Sequence, residues 1–270
     1  MKKLMMKYLA VVLLGAAMSA QAADNKLVLT GSSTVAPLMS EIGKRFEKAN
    51  PGVQIDVQSG GSSRGVNDVR SGMADIGMAS RELKAEEKSL VSATVALDGI
   101  GLITHKDNPV NSLTDAQVVA IYTGKITNWR EVGGRDSRIT VVNKAEGRST
   151  LELFLQHFGL KNSQIVAQVV IGDNQQGIKS VAGNAGAIGY VSIGAAEYEA
   201  NHGTPIRMLP MNGVAASVSN VANGKFALAR PLNLVTKTAP LGLTKRFIDF
   251  ARSEAVNDLV KSQYFVPVTR

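Results

Sequence analysis

Three short stretches of this chain bring glycine, hydroxyl side chains and the start of a helical pattern together. They are Gly31-Ser32-Ser33-Thr34, Gly60-Gly61-Ser62-Ser63 and Glu146-Gly147-Arg148-Ser149-Thr150. Each follows a short β-like run and can present backbone N–H groups and hydroxyls on one side. The first turn of a helix carries unpaired donors and a partial positive charge, so it is a natural seat for an oxyanion. Glycine lets the backbone approach a ligand closely. Arg148 would add a planar cation suited to phosphate-like oxygens. Ser and Thr are also the ordinary N-caps of helices, and one such turn alone does not choose between the two roles. Three of one kind in one chain put anion binding on level terms with capping.

The elements that must position these turns are legible as alternating strands and helices. Lys26–Thr30 reads as a strand, and Leu38, Ile42 and Phe46 mark one helical face. Pro37 suits the first turn of that helix, and Asn50-Pro51-Gly52 ends it. The unit recurs as a strand over Val53–Val57, a helix over Ser63–Arg70 and a strand over Asp75–Met78. Thr94–Thr104 is apolar and reads as a long crossing strand. Further on, strands are expected over Arg138–Val142, Ala185–Val191 and Pro231–Val235. Helices are expected over Leu113–Tyr122, Leu151–Phe158 and Leu241–Ala251. This alternation predicts an α/β protein with mostly parallel sheets, whose ligand sits where strands end and helices begin. No linker or repeat marks a boundary between units.

Composition narrows the class. Of 270 residues, 44% are hydrophobic and 19% charged, as in a soluble globular protein. The net charge of +8 suits an anionic ligand without requiring one. Basic residues are scattered and aromatics are only 5%, which argues against nucleic acid. There is no cysteine, hence no disulfide, thiolate chemistry or lipid-attachment site. His105, His157 and His202 are isolated, so no metal is expected. Lys2, Lys3 and Lys7, the apolar run Tyr8–Leu14 and Ala20-Gln21-Ala22 have the form of a secretory signal peptide over residues 1–22. Cleavage is expected after Ala22. The remaining chain has no stretch apolar enough to span a membrane and is expected to be soluble in the periplasm.

Five motifs together resemble phosphate-binding proteins of the PstS type. They are Gly31-Ser32-Ser33-Thr34-Val35-Ala36-Pro37-Leu38, Gly60-Gly61-Ser62-Ser63-Arg64-Gly65-Val66, Asp75-Ile76-Gly77-Met78-Ala79-Ser80-Arg81, Ile121-Tyr122-Thr123-Gly124-Lys125-Ile126-Thr127-Asn128-Trp129 and Ala187-Ile188-Gly189-Tyr190-Val191. They run in family order over most of the chain. The resemblance implies a two-lobed periplasmic binding protein fold of type II, hinged around a ligand cleft. It places one lobe at 23–103 plus 233–270 and the other at 104–232. It implies a monomer that is no enzyme, uses no cofactor, buries phosphate between its lobes and delivers it to the membrane permease of an ABC importer. By position it assigns phosphate contacts to Ser33, Thr34, the Val35 N–H, Ser62, Arg148, Ser149 and Thr150. Lys144 stands where many relatives carry a cleft arginine, and Glu146 where they carry its acidic partner.

One departure bears on selectivity. Some relatives carry after Ala-Ser a cleft aspartate that accepts a proton from phosphate. Here Arg81 follows Ala79-Ser80. Another branch of the family has Ser-Arg at this point. Arg81 is therefore a candidate ligand contact, with pairing to a carboxylate as its alternative. Sulfate, molybdate or a phosphonate remain alternative ligands, and a scavenger or surface role without an importer remains an alternative task. A more distant alternative is a serine hydrolase. Gly61-Ser62-Ser63-Arg64-Gly65 matches a nucleophile elbow with Ser63 as nucleophile, and Asp173 and His202 follow in hydrolase order. Trp129 is expected to serve packing.

Overall fold

The computed structural model of the protein describes residues 25–268. The expected signal peptide, residues 1–22, lies outside them. The fold is α/β. Strands β1 (Lys26–Gly31), β2 (Gln54–Ser59) and β3 (Ile76–Ala79) alternate with helices α1 (Ala36–Ala49) and α2 (Ser62–Ser71), and β4 (Val91–His105) follows. After α3 (Asp115–Tyr122) come β5 (Thr140–Lys144), α4 (Ser149–Phe158), β6 (Val169–Ile171), α5 (Asn174–Ala182), β7 (Ala187–Ser192), α6 (Ile193–Asn201) and β8 (Ile206–Leu209). The chain ends with α7 (Val218–Ala222), β9 (Ala229–Thr236), α8 (Gly242–Ala251), α9 (Asn257–Ser262) and β10 (Val266–Pro267).

The strands follow the order β2-β1-β3-β9-β4-β7-β5-β6, with β8 and β10 also pairing with β4. Strand β1 runs parallel to β2 and β3, and β5 runs parallel to β6 and β7. The parallel expectation therefore holds for the outer strands. The strands β4 and β9 pair antiparallel with each other and with their neighbours. They carry the chain between the two lobes in opposite directions, so antiparallel pairing is forced. The first part of β4, Val91–Gly99, pairs with β9, and the second part, Ile100–His105, pairs with β7 and β8.

Each half of this arrangement has its own core. Leu29, Leu38, Ile42, Phe46, Ile76, Leu234 and Phe247 pack together on one side. Tyr122, Trp129, Phe154, Ile188 and Tyr190 pack on the other. Each large apolar side chain buried this way contributes about 1.5–3 kcal/mol. The cores explain the helices. In α1 the residues at spacing four, Leu38, Ile42 and Phe46, are all buried, with Ala36, Met39 and Gly43 beside them. Pro37 sits in its first turn, and Asn50 closes it by donating from Nδ2 to the Phe46 carbonyl. In the second core the Phe154 and Tyr190 rings stack at 4.0 Å. The Trp129 indole is buried and donates to the Gly186 carbonyl at 2.9 Å.

Close packing where β1 ends depends on Gly31. Its φ of 132° lies in glycine territory, and a Cβ there would meet the Met78 carbonyl oxygen at 2.3 Å. This lets the first hydroxyl turn settle against the end of β3.

Candidate functional site

The three hydroxyl turns meet. Between the lobes lies a small cavity of about 10 Å³ lined by Ser32, Ser33, Thr34, Gly61, Ser62, Ser80, Arg148, Ser149 and Thr150. The turn before α1 and the start of α2 come from one side, and the start of α4 from the other. None of these three helices has a side-chain cap on its N-terminus. Helices α3, α5, α6 and α7 are each capped in the ordinary way, by Thr114, Asp173, Ser192 and Ser217. So, apart from Ser32, which accepts from the Thr34 and Val35 N–H groups ahead of α1, the hydroxyls at the cavity are not spent on capping.

The hydroxyls instead bond to one another, Ser32 to Ser80 within one lobe and Ser62 and Ser80 to Ser149 across the cleft. Ser32 Oγ donates to Ser80 Oγ at 2.9 Å, and Ser62 Oγ donates to Ser149 Oγ at 3.1 Å. Ser80 Oγ and Ser149 Oγ are 2.6 Å apart. The N–H groups of Thr34 and Val35 reach Ser32 Oγ at 3.2 and 3.3 Å. The Val35 side chain packs in the first core, leaving only its N–H on this side. Gly61, with φ of 101°, makes the approach possible. A Cβ there would stand 2.7 Å from the Gly147 carbonyl oxygen and 3.0 Å from Arg148 Cδ, both across the cleft.

The charge behind the cavity comes from a residue that sequence reasoning missed. Arg230, 2% exposed, donates from one amino group to Thr150 Oγ1 at 3.0 Å and from the other to Thr34 Oγ1 at 3.2 Å. It also donates from Nε and one amino group to Asp98 Oδ2 at 3.1 and 2.8 Å. Asp98 is itself satisfied by Ser192 Oγ and the Gly194 N–H. A guanidinium has no acceptor. Both threonines must therefore accept from Arg230, and their hydroxyl hydrogens are left to donate. That is the polarity an acceptor-only anion needs. A signal for this pair did exist. Asp98 is the one carboxylate in β4 and Arg230 the one cation in β9, and they face each other in the β4–β9 register.

Two more buried polar side chains stand beside Thr34. Asn174, at the start of α5, donates from Nδ2 to Thr34 Oγ1 at 3.1 Å. Its Oδ1 accepts from Lys144 Nζ at 3.0 Å. Burial, reinforced by the Arg230 charge, pushes the Lys144 ammonium down to about 7. Burial likewise raises the Tyr190 hydroxyl, which donates to Asn143 Oδ1.

Of the residues singled out from sequence, Ser33, Thr34, Ser62, Arg148, Ser149 and Thr150 line the cavity. Arg81 does not. Its guanidinium donates to both Glu87 carboxylate oxygens at 2.6 and 2.9 Å, and its Nε lies 3.0 Å from Glu152 Oε2. The expectation of a ligand contact is corrected in favour of carboxylate pairing, because two acids already hold this cation. Glu152 also takes Lys84 Nζ at 3.1 Å and Ser63 Oγ at 3.2 Å, so it ties α4 to the other lobe. Glu146 is exposed and accepts from Asn162.

The hydrolase constellation does not assemble. Ser63 donates to Glu152, Asp173 caps α5, and His202 stacks on Tyr198 with Nδ1 at the Tyr198 carbonyl. Each member has a separate task. Among the described residues no His, Cys, Asp and Glu cluster could hold a metal ion, and no helix is long and apolar enough to cross a membrane.

The fold and the cleft define a two-lobed type II periplasmic binding protein. The family model for the PBP superfamily domain matches residues 16–255. The phosphate-binding protein PstS of Bacillus subtilis is 31% identical over 255 residues, covering 92% of this chain and 82% of the relative. The chain belongs to this PstS family, which comprises binding proteins rather than enzymes. Among solved structures, one from Clostridium perfringens, described as a phosphate ABC transporter substrate-binding protein with bound phosphate, is 39% identical. It matches with a TM-score of 0.83 over 91% of this chain and all of its own. An ABC-type phosphate transport receptor from Vibrio cholerae is 29% identical, with a TM-score of 0.73 over 90% of this chain and 100% of its own.

Proposed function

We propose that this protein binds inorganic phosphate between its lobes and hands it to the membrane permease of an ABC importer. The observation that carries this reading is the convergence of three uncapped helix starts on one cavity, with Thr34 and Thr150 turned into donors by Arg230. Phosphate oxygens would accept from these hydroxyls, from Ser62 and Ser149, and from the Val35 N–H. Arg148 would supply a direct cation. Hydrogen bonds to a charged group are worth about 1.5–3 kcal/mol each, so a set of this size yields tight binding without a large net charge.

The lobes divide where β4 exchanges partners, near Gly99 and Ile100, and where the chain returns before Ala229. Rotation about these two crossing strands would open the cleft. The hydroxyl bonds and the Glu152 contacts between lobes belong to the closed form. The protein acts as a monomer in the periplasm after cleavage following Ala22.

A second reading, another oxyanion, draws support from the cavity's residues. None of those that line it is a carboxylate. A protonated phosphate oxygen would then donate to a serine hydroxyl, which can accept as well as donate. Calorimetric titration with phosphate, using sulfate as competitor, tests both readings. Tight phosphate binding that sulfate does not displace is the expected result. Displacement by sulfate would keep the site and change its ligand.

A further inference from the structure

Among the described residues three cationic side chains are buried: Arg81, Lys144 and Arg230. Two carry their counter-ion with them. Arg81 is paired with Glu87 and Glu152, and Arg230 with Asp98. Lys144, 3% exposed, is not paired in this way. Among the described residues its Nζ makes one side-chain hydrogen bond, to Asn174 Oδ1, and Asn174 in turn donates to Thr34 Oγ1 at the cavity. The ammonium is thus one amide removed from the site.

A buried charge without a partner is expensive, and the group avoids the cost by losing its proton. We propose that Lys144 is a proton-linked counter-charge for the bound anion, uncharged in the closed, anion-free site and protonated when the anion is present. The proposal rests on the reading of this cavity as the anion site.

The surroundings agree with it on every side. Arg230 on β9 and Arg148 ahead of α4 repel a proton on Lys144, and Asp173 before α5 attracts one. The Asp98 carboxylate on β4 is taken by Arg230. From β7 the Tyr190 hydroxyl accepts the Lys144 backbone N–H and stays neutral, because burial raises it. Burial is the largest influence and brings Lys144 to about 7, where a nearby negative charge decides its state. An arginine here would be charged at all times, whereas a lysine lets the site's net charge follow its occupancy.

The sign of the linkage is fixed. An anion raises the lysine's affinity for protons, so the complex holds more protons than the free protein above about pH 7. Affinity must then fall as pH rises, by up to about tenfold per pH unit. Phosphate's own second ionisation contributes in the same range, but equally in wild type and variants. Calorimetry in buffers of different ionisation enthalpy counts protons taken up per phosphate. Between about pH 7 and 9, wild type should take up nearly one proton more than Lys144→Arg, by the same linkage. Lys144→Met should match the arginine variant in proton count and bind more weakly at low pH. Equal proton counts in wild type and both variants would overturn the proposal. If wild type binds no phosphate, the phosphate reading fails instead, and the same count with sulfate or molybdate tests Lys144 alone. Should the variants not fold, lysine side-chain NMR of wild type decides. One lysine must titrate near 7 without phosphate and markedly higher with it. If every lysine titrates near the ordinary 10.5, the proposal is wrong.

Discussion

Two sets of helix starts in this molecule use similar residues for opposite ends. At α3, α6 and α7 a Thr or Ser folds back on its own helix and caps it. At α1, α2 and α4 no side chain caps the helix, and hydroxyls reach across the cleft between α2 and α4. The first arrangement spends the hydroxyl on stability. The second keeps both the hydroxyl and the helix's positive end for a ligand. The residue at the N-cap position separates the two sets: Thr114, Ser192 and Ser217 fold back on their helices, whereas Val35, Gly61 and Arg148 carry no hydroxyl to do so. The neighbouring hydroxyls of the second set are left to face the cleft.

The comparison can be broken most sharply at Arg230. Its removal would return the Thr34 and Thr150 hydroxyls to unaligned rotors and strand Asp98 in the core. Two charge-assisted bonds of about 1.5–3 kcal/mol each put the loss of phosphate affinity for Arg230→Ala at about a hundredfold or more, by titration calorimetry. Wild-type affinity in this variant would remove Arg230 from the site.

Gly61→Ala tests whether the uncapped starts must meet. Its Cβ would strike the Gly147 carbonyl across the cleft, and φ of 101° strains any side chain. Affinity should fall about tenfold or more through incomplete closure, on the cost of such backbone conformations. Small-angle scattering should show a ligand-bound form less compact than wild type. An unchanged closed form would show that the lobes do not approach at this point.

Thr34→Ala and Thr150→Ala should each weaken phosphate binding about tenfold, from the worth of one charge-assisted bond. Their thermal stability should fall as well, because each deletion leaves a buried Arg230 amino group without its acceptor, at a cost of about 1–3 kcal/mol. A stability loss without an affinity loss would place them in the capping set.

Glu152→Gln should act mainly on release. Removing the charge that Arg81 and Lys84 share across the cleft should speed phosphate dissociation several-fold in stopped-flow, and added salt should narrow the difference from wild type. The opposite control is Thr114→Ala. It should cost about 1 kcal/mol of stability and leave phosphate affinity unchanged. A shift in affinity there would erase the distinction between the two sets.

Much of the fold was legible in the sequence. The strand–turn–helix alternation from Lys26 to Met78 appears as β1 to β3 with α1 and α2, because apolar spacing and Pro or Gly punctuation agree there. The long strand through Gly99 and Gly101 is β4. The stretch from 160 to 230 was largely silent. Helix α5 is Asn-Gln-Gln-Gly-Ile-Lys-Ser-Val-Ala, whose buried face includes Asn174 and Gly177 beside Ile178 and Val181. A face that buries an asparagine for a polar site hides the apolar period on which helix reading depends. The same helix supplies Asn174 to the site, so the fold and the site went unread together.

By itself the sequence determined which turns carry donors, which strands are apolar and where glycine permits close approach, because these follow from residue type and spacing. It could not decide what those donors face. That depends on what lies opposite in space: Arg230 against Thr34 and Thr150, Glu152 against Arg81, and Lys144 with a cavity where a carboxylate would otherwise be. Partners about 80 and 200 residues apart in the chain become neighbours only when two lobes close, and electrostatics at that range belongs to the tertiary structure alone.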